Sequence, residues 1–510
     1  MRMTHDTLAR ENQSPSLLLL VVALGAVAYT LLFRGEATGV NLSLLALLLL
    51  GGGWFFLPAM RRSRPAQASA AGTLLAAVMV VYNDSSLARW AFILSWLTWL
   101  GFAHHERAWN HLIALTQGLI HFFFSPLKAL QTFRLALGRL PGMRRLGYRL
   151  RLAIIPLAIV ALFFVVYVAA NADFARLSAR FVDRVVALFS FELDWELAGY
   201  LIFGTMLFGA VVLPLGQSLE WTGSPFAEQL ERRRPQSPRH FPLAGLREEY
   251  QIALWTLAGL NLLLLCVNLV DVRHVWFAFD PEQVPNLKQY VHAGTGLLIV
   301  ALLMAMAVLL WIFRGNLNFY PDGGLLRKMA YFWVAQNAVL ALSTGLRTLR
   351  YIHWHGLAYK RLAVLVFLAL VLFGLWSFYR KIRLRKTVAW LMHRNGWAFY
   401  WVVIACTLIN WDVWITQYNL TTRTRGPIDV AFLLHTVSDK NYHVLRQHEA
   451  RLAEVAAWPE VTPDEIATAL DKKRQRIIDR ARHSWLSWNR PWWTNWTYIQ
   501  RHEPESIPLE

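Results

Sequence analysis

The segment from Arg347 to Arg361 packs four fixed cations, two histidines and three large aromatics into a chain that is otherwise mostly hydrocarbon. At helical spacing Arg347, Arg350, Tyr351 and Trp354 share one face, so two guanidinium forks can present donors to a carboxylate, a phosphate or a lipid head group. With Lys360 and Arg361 added, Arg347, Arg350 and Tyr351 form the candidate ligand or head-group site. The same residue types also anchor helix ends at the head-group level. His353 and His355 stand two apart, which puts them on different faces of a helix; no third ligand accompanies them, and no metal is expected.

A second set of polar groups lies inside apolar runs. Asn261 and Asn268 stand two turns apart, Asp271 follows, and Gln336 adjoins Asn337. In hydrocarbon such side chains face protein or a wet cavity, either as an intramembrane polar site or as interhelical hydrogen bonds. The sequence has no Ser/His/Asp elbow, no phosphate-binding glycine loop and no His-Glu-x-x-His motif, so no catalytic residue is assigned and no cofactor is expected. Asp173, Asp194 and Glu196 are the nearest acid/base candidates, but acidic residues in loops are ordinary.

The elements that must position these groups are helices in a membrane. Of 510 residues 56% are hydrophobic and only 16% charged, the composition of an all-helical polytopic membrane protein. A formal charge of +19 would point to nucleic acid in a soluble chain, but basic loops are an outcome of membrane insertion, and the lipid bilayer is the expected partner, with no nucleic acid. Cys266 and Cys406 both fall in apolar runs, where a thiol packs as a small hydrophobe. The first apolar run lacks a small-residue cleavage site and reads as an uncleaved span.

About 11 spans are expected, near 15–33, 41–60, 68–82, 88–103, 151–170, 196–216, 250–270, 291–313, 326–346, 360–379 and 396–413, each approaching the roughly 20 residues a bilayer requires. Residues 110–124 are shorter and more polar, and are predicted to form an interfacial helix. The basic loops after the second, fourth, sixth and tenth spans place the N-terminus in the cytoplasm and the C-terminus in the periplasm. Asn83-Asp-Ser-Ser, Phe191 to Glu196 and Asp280-Pro-Glu282 are neutral or acidic, as outer loops should be. The segment 347–361 is the exception: it is strongly basic on the outer side.

The organisation predicted is 1–150, N-terminal helices with a basic cytoplasmic loop; 151–413, a core membrane domain; and 414–510, a small helical periplasmic tail. In the tail Thr462-Pro-Asp-Glu465 is a capping box that starts a helix at 463 running to about 488, preceded by another from about 439 to 457. Trp485, Trp488, Trp492, Trp493 and Trp496 point to docking of the tail on the bilayer or the membrane domain.

Several segments together resemble one bacterial multi-pass membrane family: Ala172-Asp-Phe-Ala-Arg, Leu260-Asn-Leu-Leu-Leu-Leu-Cys-Val-Asn, Gln289-Tyr-Val-His-Ala-Gly-Thr-Gly-Leu-Leu, Arg350-Tyr-Ile-x-x-x-Gly-Leu-x-x-x-Arg361, Ile428-Asp-Val-Ala-Phe-Leu-Leu-x-x-Ser438 and Trp485-Leu-Ser-Trp-Asn489. This is the domain of unknown function numbered 4153, with a close relative 4173, and the resemblance covers roughly 150–500. It implies a bacterial inner-membrane protein and a recurring pattern at Arg350, Tyr351, Gly356, Leu357 and Arg361, with Ala358 where relatives often have threonine. It supplies no reaction. The expected activity is non-enzymatic: a binding, signalling or envelope-associated component whose outward cations engage anionic lipid head groups or the tail. The alternatives are a transporter using the amides of the seventh and ninth spans, or a membrane-embedded enzyme.

Overall fold

The computed structural model describes residues 14–105, 108–137, 194–213, 227–232, 245–277, 287–313, 315–422, 428–455 and 461–506, with isolated positions between 156 and 179. Among these the chain is helical throughout, with one isolated β-bridge between Gln229 and Lys386. α1 (Pro15–Phe33) starts where the Ser14 hydroxyl accepts from the Leu17 amide and Pro15 takes a position whose N–H would be orphaned anyway. α2 (Val40–Phe56), the short α3 (Pro58–Arg62) and α4 (Arg64–Asn83) follow; α5 (Ser86–His104) is capped by Ser85 and α7 (Trp195–Val212) by Asp194, with α6 (His111–Leu137) between them. The second half holds α8 (Leu246–Asp271), α9 (Leu287–Ile312), α10 (Gly324–His355), α11 (Tyr359–Arg383) and α12 (Val388–Thr407).

Two apolar cores organise this body. One joins α1, α2 and α4 to α7; the other joins α8 to α12. α12 serves both, giving Trp390 and Leu391 to the second and Tyr400 and Ile404 to the first. The Tyr400 hydroxyl donates to the Ser69 carbonyl at 3.0 Å and meets Ser95 at 2.5 Å, over Gly72, where a Cβ would lie 2.0 Å from the phenol oxygen.

Among the described residues six helical segments are long and apolar enough to cross a membrane: α1, α4, α6, α7, the run Leu246–His274 and α11. A seventh arises if α12 and α13 (Trp411–Thr421), bent by 64° at their junction, count as one broken span. This corrects the expected 11. The 17-residue α2 is short, tryptophans, serines and Arg89 dilute α5, and α10 is interrupted by its own amides and arginines. The expected span 151–170 lies outside the described residues.

The interfacial helix expected at 110–124 is instead the first part of the 27-residue α6. Gly101 of α5 and Gly118 of α6 bring the two backbones together: a Cβ would meet the Ala114 carbonyl oxygen at 1.8 Å and the Leu97 carbonyl oxygen at 1.9 Å, respectively. Close approach of this kind buries Gln117 and His121 between helices.

Past α12 the chain builds a third core. α13, α14 (Tyr442–Gln447), α15 (Glu449–Val455), α16 (Pro463–Asp479) and α17 (Arg490–His502) pack as a cap on Ile352 and Leu357 at one end of the body. α16 begins as expected, the Thr462 hydroxyl accepting from the Glu465 amide at 3.2 Å. It ends at Asp479 rather than near 488, because the chain turns to dock. Ala37 N–H donates to Ser487 Oγ at 2.8 Å, Val40 N–H to the Trp488 carbonyl at 3.1 Å, and Arg480 to the Thr38 carbonyl at 2.7 Å.

Gly101→Ala and Gly118→Ala should each destabilise the body by about 1–3 kcal/mol through overpacking, read as a lower melting temperature in detergent. Gly51→Ala, whose Cβ meets nothing within 4 Å, should leave that temperature unchanged or raise it; equal losses at all three positions would refute the close α5–α6 contact.

Candidate functional site

The junction of cap and body is built around two buried aspartates. Asp412 sits in the first turn of α13, where the helix dipole favours an anion. Its carboxylate accepts from the Tyr359 hydroxyl at the start of α11 and from the Ser438 hydroxyl, and pairs with Lys440 at 2.7 Å. Burial opposes ionisation of Asp412, but the Lys440 ammonium and the three hydrogen bonds outweigh it and hold the carboxyl below the usual carboxylate range.

Asp84 ends α4 in the left-handed region, φ +43°, a conformation that aspartate tolerates better than most residues. Its carboxylate meets Arg480 and Asn489 of the cap at 3.1 Å each and Arg89 of α5 at 3.3 Å. Lys440 donates to the carbonyls of Asn83 and Asp84, so it joins the two centres. A third pair stands beside them: Arg476 grips Asp439 with both a 2.8 Å and a 2.6 Å hydrogen bond. Below it Lys473, fully buried, donates to the Val437 carbonyl at 2.7 Å, and desolvation pushes its ammonium down to about 8.

Asp84, Arg89, Asp412, Asp439, Lys440, Arg476 and Arg480 form the polar end of a cavity of about 830 Å³. Its other end is apolar. Leu362, Val366, Phe367 and Leu370 follow one stripe of α11, and Phe399, Val402, Val403 and Cys406 face them from α12. The cations Arg89, Lys440, Arg476 and Arg480 outnumber the carboxylates Asp84, Asp412 and Asp439 by one. Each cation is paired, yet a guanidinium carries five donors and an ammonium three, more than a single carboxylate contact uses. The arrangement can therefore bind an oxyanion at one end and hydrocarbon at the other.

The candidate residues of the basic segment lie elsewhere. Arg347 is buried and ion-paired to Asp271 of α8. Arg350 donates to the Trp276 carbonyl at 3.1 Å. Arg361 donates to the His355 and Gly356 carbonyls at the end of α10, with its guanidinium 4.4 Å from the Tyr351 ring centre; Lys360 is exposed. Gly356, at φ +77°, turns the chain from α10 to α11. Asn419 of α13 clamps that turn, accepting from Leu357 N–H at 2.6 Å and donating to the Leu357 carbonyl at 3.0 Å. A Cβ at 356 would lie 2.4 Å from Asn419 Oδ1. Of the whole segment, Tyr359 alone lines the cavity.

The amides meet one another. Gln336 donates to Asn261 Oδ1 at 2.8 Å, Asn268 to the Gln336 carbonyl at 3.0 Å, and Asn261 to the Leu257 and Met329 carbonyls, tying α8 to α10. Asn337 bonds back to the Trp333 carbonyl of its own helix. None of the four lines the cavity. Of the other acid/base candidates, Asp194 pairs with Arg34, Glu196 lies in the first turn of α7, and Asp173 lies outside the described residues.

Sequence reasoning passed over Asp84, Arg89, Asp412, Lys440, Arg476 and Arg480. The available signals were Asn83-Asp-Ser-Ser, read only as a neutral loop, and Ser438-Asp-Lys440, a charged run directly after an apolar stretch.

A family model described as a domain of unknown function, DUF4153, matches residues 69–448. The chain belongs to this family. Comparison with curated proteins and with solved structures finds no match. The DUF4153 match starts well before the expected 150 and stops before the tryptophan-rich tail. It therefore contains Asp84, Arg89, Tyr359, Asp412, Ser438 and Lys440, whereas Arg476 and Arg480 lie beyond it.

Arg347→Met should cost about 3–5 kcal/mol by leaving the Asp271 carboxylate buried and unpaired. Arg347→Met with Asp271→Leu should regain most of that loss. If the single and double variants melt together, the pair is not what fixes α8 to α10.

Proposed function

We propose that this chain is a multi-pass inner-membrane protein, cytoplasmic at its N-terminus, that binds a phosphate-headed amphiphile at its periplasmic face without transforming it. The observation that carries this reading is the cavity: one end gathers Arg89, Lys440, Arg476 and Arg480, and the other is a continuous apolar stripe between α11 and α12. Hydrocarbon walls strengthen hydrogen bonds from the cations to an anion by lowering the local dielectric. The carboxylates hold the guanidinium planes in place before the ligand arrives, which reduces the ordering cost of binding. The loop charges support the orientation. Segments 34–39, 84–85 and 356–358 gather at the cap end, while the arginines of α3 follow the opposite end of α2.

This reading puts the anionic site at the cavity; of the basic segment, Arg347, Arg350 and Arg361 are engaged within the fold and Lys360 is exposed. Gln336 donates to Asn261 and Asn268 to the Gln336 carbonyl across the contact of α8 with α10, which favours an architectural role over a permeation path.

Dodecyl phosphate should raise the melting temperature of the purified protein, saturating at one molecule per chain, while the uncharged dodecyl maltoside should not. Arg89→Gln and Arg476→Gln should each weaken the effect roughly ten- to hundredfold, the worth of a charge-assisted hydrogen bond. Unchanged stabilisation in both variants would contradict the assignment.

A further inference from the structure

The cavity has a depth as well as a polarity. From Tyr359 to Leu370 its lining residues run along α11 for roughly 16 Å at the helical rise, about half the roughly 30 Å of hydrocarbon in a bilayer. The facing stripe on α12 runs the opposite way for roughly 10 Å at the same rise, from Cys406 near the polar end to Phe399 at the far end. The lane is one groove wide: each helix contributes side chains at spacings of three and four, a single face of each. Leu87 at the start of α5 and Phe399 both line the cavity and are both exposed, Phe399 at 59%. Leu87 lies beside Asp84 and Arg89 at the polar end and Phe399 at the apolar end, so the groove is open to the surroundings of the helices at both depths.

We infer that the ligand is a single-chain phosphate lipid of the outer leaflet, such as a lysophospholipid or a monoalkyl phosphate, taken in sideways from the bilayer and held in its ordinary orientation. This rests on the reading of the cavity as an amphiphile site and adds its chain number, chain depth and route of entry. The head lies among Arg89, Lys440, Arg476 and Arg480 at the membrane boundary. The chain lies along Val366 and Val402 and ends near Leu370 and Phe399, one leaflet deep. A lipid in this pose crosses no polar barrier on entry, because head and chain each stay at the depth they already occupy. A second chain would have no second lane.

Photo-crosslinking reads depth directly. The wild-type protein in nanodiscs would be treated with a lysophosphatidic acid carrying a diazirine near the end of its chain, and with a second probe carrying it near the head. The chain-end probe should label α11 around Val366–Leu370 and α12 around Phe399–Val403. The head-proximal probe should label nearer Leu362 and Cys406. Excess dodecyl phosphate should remove both signals, and diacyl phosphatidic acid should compete only weakly. Val366→Trp should abolish chain-end labelling, with Val402→Phe as the alternative if that variant does not fold. Equal competition by diacyl phosphatidic acid would overturn the single-chain claim. Chain-end labelling spread over the exposed face of α8, at Leu262 and Leu263, would overturn the depth and entry claim even if dodecyl phosphate still stabilises the protein. Failure of dodecyl phosphate both to compete and to stabilise would instead remove the amphiphile site itself.

Discussion

A carboxylate buried where two packed units meet has to be neutralised there, and in this protein that requirement falls on Asp412. Its two oxygens take a tyrosine from α11, a serine from the segment before α14, and the ammonium of Lys440. Removing any one leaves a buried charge under-compensated, a cost of several kcal/mol. The three partners therefore cannot move independently, and the mouth of the cavity inherits their geometry. Lys440 carries the constraint onward by donating to the carbonyls at the end of α4, where Asp84 repeats the arrangement with Arg89, Arg480 and Asn489.

The cavity follows from how the cap is held. Two carboxylate centres fix the cap, and beside the Asp84 centre Ser487 and Trp488 stitch it to the loop before α2, where Arg480 bonds both Asp84 and the Thr38 carbonyl. α12 bends into α13 and stops filling the space beside α11. What remains is a groove with helix side chains below and paired ions above. The cations at its mouth are oriented by fixed anions.

How much of this could be read from the amino-acid order depends on the range of each interaction. The membrane-type helices, the Thr462 cap and the pairing tendency of Asn261, Asn268 and Gln336 rest on local composition and spacing, and the structure contains them. The basic segment was legible as unusual but not as what it is. Arg347 reads as a free cation only while Asp271, 76 residues earlier, is out of view, and Arg361 serves two carbonyls that no sequence pattern marks. The Asp84–Arg480 contact spans 396 residues, so neither partner signals the other. Span counting errs in both directions. It includes α5 and α10, whose tryptophans, serines, amides and arginines lower their hydropathy, and it passes over α6, a 27-residue helix whose Ser125 bonds the Met206 carbonyl of α7.

The most direct test is native mass spectrometry of the protein extracted from its own membrane. The account predicts one bound phosphate-bearing lipid per chain, lost in the Arg89→Gln, Arg476→Gln double variant while the protein remains folded. A bare chain, or a ladder of lipid adducts identical in wild type and variant, would contradict it.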